Sequence, residues 1–394
     1  MFTLEQNRKN QRRREKKKLR RKIFLFVLTL VVFLAVLFLV VQLLTPKSAD
    51  KAVQEEKSIQ KEKSSVSSQK EKKKTEVETK EVVQNKALDQ YLTQLHFSGT
   101  AVVVRNGKMV LNKGYGYRNM EQQEKNTPDT EFYIGSSQKA LTATAILQLV
   151  EKGKLSLTNP VSQYLSGFPS GITIKNLLNH TSGLKGHLET NSKITPKELV
   201  QDIEERGVKR APGKWDYRDS NYTVLAYLVE KLSGQSLADY YKQHIFKPAG
   251  MTQVGFYEDF KQQKNASIGY YLKKDGSYSI PSMPDLSQLF GVGNVYMSAG
   301  DMYRFDEALM SGKLLSPESL AEMFTKGSSS GYGMGFYADP GSYNNHGVLN
   351  GWNVSNSISK SGKTFVILFS NIQNNITSFG KVNNEIYQIL NRTN

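Results

Sequence analysis

Ser136-Ser137-Gln138-Lys139 sets a hydroxyl and an amine three positions apart at the head of a helical pattern. Residues i and i+3 share a helix face one turn apart, so the two groups can touch. A helix N-terminus adds unpaired N–H groups and positive potential around the serine. That combination suits a nucleophilic serine served by a lysine. The same four letters occur at 67–70, inside a Lys, Glu, Ser and Gln run without aromatics that cannot bury a core. Ser-x-x-Lys also recurs at 48–51, 58–61 and 357–360, so spacing alone selects nothing. Ser136 differs because the apolar run Phe132-Tyr133-Ile134-Gly135 precedes it and a long helical pattern follows.

The elements that must hold such a site are legible around it. Leu88, Tyr91, Leu92 and Leu95 recur at helical spacing and open the folded part. Residues 99–105 and 108–116 read as strands joined by the tight turn Asn106-Gly107. Helices are predicted over 140–152 and 222–233, each followed by a glycine suited to ending it. Residues 352–359 and 363–370 form a second hairpin around Ser361-Gly362, and 376–390 closes the chain as an amphipathic helix. Strands at both ends with helices between predict an α+β fold, one antiparallel sheet built from both termini and interrupted by a helical region.

The first 86 residues read differently. Residues 1–22 carry eleven lysines and arginines against two glutamates, more than half of the net charge of +17. Residues 23–44 are uncharged and apolar, long enough at ~1.5 Å per residue to cross a ~30 Å hydrocarbon core. The basic cluster ahead predicts a single-pass anchor with a cytoplasmic N-terminus and an extracellular C-terminal side. A cleaved signal peptide fits less well, because the apolar run is too long and Gln42-Leu43-Leu44-Thr45-Pro46 offers no small-residue cleavage site. Residues 45–86, without Phe, Tyr or Trp, are expected to form a solvated charged spacer, leaving 87–394 as the folded domain. With no cysteine, disulfides and thiolate chemistry are excluded. Five histidines without a His-Glu-x-x-His pattern point away from zinc, and beside a membrane span the basic patch calls for no nucleic acid.

Further phrases follow Ser136 in order. They are Leu177-Leu178-Asn179-His180-Thr181-Ser182-Gly183, then Pro212-Gly213-Lys214-Trp215-Asp216-Tyr217-Arg218-Asp219, then Gly291-Val292-Gly293-Asn294, and His346-Gly347-Val348 ahead of Gly351-Trp352. Together they resemble the penicillin-recognising serine hydrolases, in the branch of class C β-lactamases, D-alanyl-D-alanine carboxypeptidases and related esterases. The resemblance covers nearly all of 95–390. It implies a β-lactamase/DD-peptidase-like fold: an antiparallel sheet with helices on both faces, a helical subdomain, and a site between them. It also implies Ser136 as the acyl-accepting nucleophile, Lys139 as its proton acceptor or relay, and Tyr217 as a second proton carrier. The Ser136 N–H and the strand near Val348 and Leu349 are implied as the oxyanion hole. An ordinary lysine is too basic to accept a proton at pH 7, so the site is expected to lower Lys139.

Two departures bear on the substrate. The family's Tyr-x-Asn is Tyr217-Arg218-Asp219 here, and its Lys-Thr-Gly is replaced by His346-Gly347-Val348. Aspartate only accepts hydrogen bonds, and a histidine is mostly neutral where a lysine would pair with a carboxylate. Asp219, His346, Gly347 and Val348 are therefore expected to line the substrate site, with Asp219 receiving a substrate ammonium. That favours D-alanyl esters of teichoic acid over peptidoglycan stem peptides or β-lactams, in line with the teichoic-acid D-alanyl esterases of the same family. A carboxypeptidase or β-lactamase, or a non-catalytic envelope-binding protein of the same fold, are the alternatives. No cofactor is implied.

Overall fold

The computed structural model describes residues 79–393. The basic segment 1–22, the apolar segment 23–44 and spacer residues 45–78 lie outside the described residues. Among those described, no helix is long and apolar enough to cross a membrane. The fold starts before residue 87, earlier than expected. Val82–Val83 (β1) pairs with Leu111 and Asn112 at the sheet edge. The Asn85 side chain caps the next helix by accepting from the N–H groups of Ala87 and Leu88. Two β-branched residues and a cap thus draw the end of the charged run into the domain.

The main sheet has seven strands. Besides β1 they are Gly99–Arg105 (β2), Lys108–Tyr115 (β3), Tyr337–Ala338, Ser342–Leu349, Trp352–Ser359 and Phe365–Ser370. A smaller sheet holds Glu131–Tyr133 (β4), Val254–Phe256 (β5) and Val295–Ser298 (β6), with β6 central. The last four strands of the main sheet are then β7 to β10 in chain order. Its spatial order is β1-β3-β2-β10-β9-β8-β7, antiparallel throughout. The first hairpin therefore joins the last strand, β2 beside β10, as expected of a sheet built from both termini.

Helices cover both faces, which is why β2 and β10 are buried at nearly every position. On one face Ala101, Val103, Val366 and Leu368 pack with Leu88 and Leu92 of α1 (Lys86–Gln94) and Ile386 of the C-terminal helix, Phe379–Arg392. On the other, Val102, Val104, Ile367 and Phe369 belong to the core of α2 (Gln138–Glu151). Residues 138–149 of α2 are buried without exception, so this helix runs through the middle of the domain rather than along its surface. In the helical region α3 (Ile174–Leu178) and α4 (Pro196–Arg206) pack on α5 (Asp219–Ser233), which packs against α2, while α6 (Ala299–Met310) backs the sheet. The C-terminal helix is α7. α5 ends on Gly234 in the left-handed conformation, at the expected glycine.

Candidate active site

Ser136 lies in a tight turn, Gly135–Ser137, between strand β4 and helix α2. The turn is fastened by Ser137 N–H to the Ile134 carbonyl at 3.1 Å and by Ile134 N–H to Val295 of β6, also 3.1 Å. Strand β8 runs directly against it. A side chain at Gly135 (φ 48°) would come within 2.6 Å of the Val348 carbonyl, and one at Gly347 within 1.8 Å of the Ile134 carbonyl. Both positions must be glycine for strand and turn to meet.

That contact corrects the expected register. The glycine pressed against the nucleophile turn is Gly347, so the triplet standing for Lys-Thr-Gly is Asn345-His346-Gly347, one residue earlier than His346-Gly347-Val348. Asn345 occupies the lysine's place and His346 the threonine's. Val348 follows the required glycine, and its backbone lies beside the turn. Only the backbone approach could reveal this, so the sequence reading missed Asn345.

Lys139 is fully buried, and its Nζ has three acceptors. It donates to Ser136 Oγ at 2.9 Å, to the Val292 carbonyl at 3.4 Å, and to Asp219 Oδ1 at 2.8 Å. Three acceptors around one nitrogen describe an ammonium. Burial works against that charge, but the Asp219 carboxylate, helped by Tyr217, outweighs it and holds Lys139 above its ordinary value. The expected lowering is thus reversed. Burial likewise pushes the Asp219 carboxyl up, yet the Lys139 charge prevails and leaves it below the usual carboxylate value. Asp219, first residue of α5, is 35% exposed and engaged by Lys139, rather than standing free for a substrate amine.

Tyr217 comes in from the loop before α5. Its ring lies 5.0 Å from Lys139 Nζ and stacks on His180 at 4.2 Å and 32°. His180 is buried, and its Nδ1 accepts from the Arg218 N–H at 3.3 Å and from Asn221 Nδ2 at 3.2 Å. Burial, then the Lys139 charge, push it down to about 3, so it is neutral and serves as a platform for the tyrosine. Asp216 fastens the same loop to Lys209, Arg210 and Arg218.

These groups open into a pocket of about 240 Å³ lined by Ser136, Tyr217, Tyr332, Gly335, Tyr337, Asn345, His346 and Val348. Ser136, Lys139 and Tyr217 are brought together, as expected, and His346 and Val348 join them at the wall. Tyr332 and Tyr337 carried no sequence signal and arrive by folding. His346 Nε2 contacts Asn353 Oδ1 at 2.5 Å. Desolvation lowers its pKa, partly offset by that contact, so the imidazole is neutral at pH 7. Among the described residues, no group of histidines and carboxylates could hold a metal ion.

A fold of this kind with a Ser-x-x-Lys turn under a strand of the main sheet defines a class of serine hydrolases. The Beta-lactamase family model matches residues 85–390, and the chain belongs to that family. PbpX of Bacillus subtilis (strain 168), named as a penicillin-binding protein, is 58% identical over 323 residues, 81% of this chain and 82% of its own. Teichoic acid D-alanine hydrolase of Staphylococcus aureus is 36% identical over 265 residues, 65% of this chain and 66% of its own. The crystal structure of FmtA from Staphylococcus aureus superposes with a TM-score of 0.73 at 31% identity, covering 80% of this chain and 90% of that one.

Proposed function

We propose that this chain is a membrane-anchored, externally facing hydrolase that removes D-alanyl groups, held as esters, from a teichoic-acid-type envelope polymer. One observation carries the choice of substrate. Among the described residues the pocket at Ser136 presents no cation to a carboxylate: Asn345 and His346 are neutral where the family has Lys-Thr, and the charge of Lys139 is answered by Asp219. Peptides ending in D-alanine and β-lactams carry a carboxylate that wants such a cation. A D-alanyl ester carries only an ammonium, which suits the faces of Tyr217, Tyr332 and Tyr337. The name of the Staphylococcus aureus relative supports the same reading. The basic and apolar N-terminal segments support the anchor.

The reaction runs in two steps. Ser136 Oγ attacks the ester carbonyl while its proton passes to Lys139, which hands one of its own to Asp219, so the lysine stays an ammonium. The backbone N–H groups of Ser136 and Val348 receive the oxyanion. Collapse breaks the ester C–O bond, and the proton returns through Lys139 and Tyr217 to the departing alkoxide. Water then attacks the acyl-enzyme with the same groups as base, releasing D-alanine. The test compares initial rates on D-alanylated teichoic acid, a peptide ending in D-alanyl-D-alanine and a chromogenic cephalosporin. Preference for the first is expected; faster turnover of either other substrate overturns the reading.

A further inference from the structure

The nucleophile pocket adjoins a larger cavity. A cleft of about 820 Å³ lies next to it, between strands β8 and β9 and the start of α7. The two share Tyr337, Asn345 and His346 as walls. A chain lying in the cleft therefore passes within one side chain of the pocket that holds Ser136.

The cleft's lining is amide and hydroxyl: Asn353, Ser355, Asn383, Asn384 and Tyr387 with His346, over an apolar floor from Phe379. Among the described residues it contains no lysine or arginine, and Asp339 is its one charged member. Amides and hydroxyls donate and accept at once, which matches successive hydroxyls on a polyol or sugar. Asn383 is 7% exposed and donates to Ser355 Oγ at 2.9 Å, so the amides and hydroxyls of this wall hold one another in place.

We propose that this cleft binds the hydroxyl-rich chain, polyol or glycan, that carries the acyl group and is left behind after transfer to Ser136. The proposal rests on the esterase reading for the identity of that acyl group, and on the cleft alone for the chemistry of the chain. Asn384 and Thr377 are exposed on its rim, where a large side chain closes the cleft without disturbing the core.

The test uses the full chain in two arms. In the first, Asn384→Trp and Thr377→Trp are compared with the parent on D-alanylated teichoic acid and on D-alanine methyl ester. The ratio of the two kcat/KM values is expected to fall at least tenfold in both variants, with unchanged thermal unfolding. In the second, Ser136→Ala protein is titrated with teichoic acid stripped of D-alanine and, separately, with a neutral peptidoglycan glycan. Tight binding of one, weakened at least tenfold by adding Asn384→Trp, is expected and identifies the source of the chain. If the parent hydrolyses neither ester, the esterase reading fails and the binding arm alone decides the cleft. An unchanged kcat/KM ratio with parent-like binding of both polymers by the tryptophan variants overturns the proposal, as does failure of both polymers to bind.

Discussion

Asp219→Asn probes the ion pair that sets this site apart from the family's Tyr-x-Asn pattern. The replacement keeps shape and one hydrogen-bond acceptor for Lys139 but cannot take a proton. Unit charges 2.8 Å apart attract by ~6 kcal/mol at an effective dielectric of ~20. With Asp219 35% exposed, solvent screening reduces this to roughly half. About 3 kcal/mol is about two decades in rate at ~1.36 kcal/mol each. kcat/KM for D-alanyl esters is therefore expected to fall about 100-fold at pH 7, the lower end of the usual acid–base contribution. The shape of the pH profile is the sharper readout. In the parent, the acid limb belongs to a carboxyl held below its usual value, so kcat/KM is flat from about pH 5 to 8. In the variant, burial without a counter-ion leaves Lys139 as the terminal base, and activity rises with pH across that window. Stability follows the same signs. The Asp219 contribution is present above the ordinary carboxyl value of 3.8 and is lost as pH falls through its depressed folded value. The Lys139 contribution is present below its ordinary 10.5 and is lost as pH rises through its raised folded value. Steady-state kinetics from pH 4 to 9 measure the activity effect; an unchanged rate with an unchanged flat profile refutes the relay.

Tyr217→Phe is expected to lower kcat by ~10²-fold or more with little change in KM, as loss of a proton carrier does. His180→Leu removes the ring under Tyr217 and leaves the pH–rate profile unmoved, since His180 is neutral down to about 3. The parent's stability falls as pH drops from about 6.5 toward 3 because only the unfolded histidine charges, by up to ~1.4 kcal/mol per pH unit; the leucine variant loses that part of the slope in urea titrations. Gly347→Ala forces β8 off the nucleophile turn, costing about 1–3 kcal/mol in denaturant unfolding and most of the acylation rate. Asn345→Lys restores a cation in the family's place and is expected to raise acylation by a chromogenic cephalosporin at least tenfold; no gain removes the register assigned here.

What the sequence made legible was local or short in reach. The hairpin at Asn106-Gly107 forms with both residues at positive φ, and the strands on either side, Gly99–Arg105 and Lys108–Tyr115, fall where they are read. Ser136 and Lys139 sit three apart on one chain segment, and their contact follows from helix geometry. The residues that decide the chemistry were less legible because tertiary packing sets their partners. Asp219 is eighty positions from Lys139, and a carboxylate facing a buried amine looks the same in sequence as one facing solvent. The register of Asn345-His346-Gly347 is fixed by a backbone carbonyl at Ile134, which no side-chain pattern encodes. Tyr332 and Tyr337 lie in a stretch rich in glycine and serine, where an aromatic reads as loop anchoring until the fold lays it beside Tyr217.

The most direct measurement is intact-mass analysis of the full chain quenched on the millisecond scale during turnover of a D-alanyl ester. A covalent alanyl adduct that maps to Ser136, and is missing in Ser136→Ala, is the expected result. Turnover at parental rate by Ser136→Ala, or an adduct on any other residue, contradicts it.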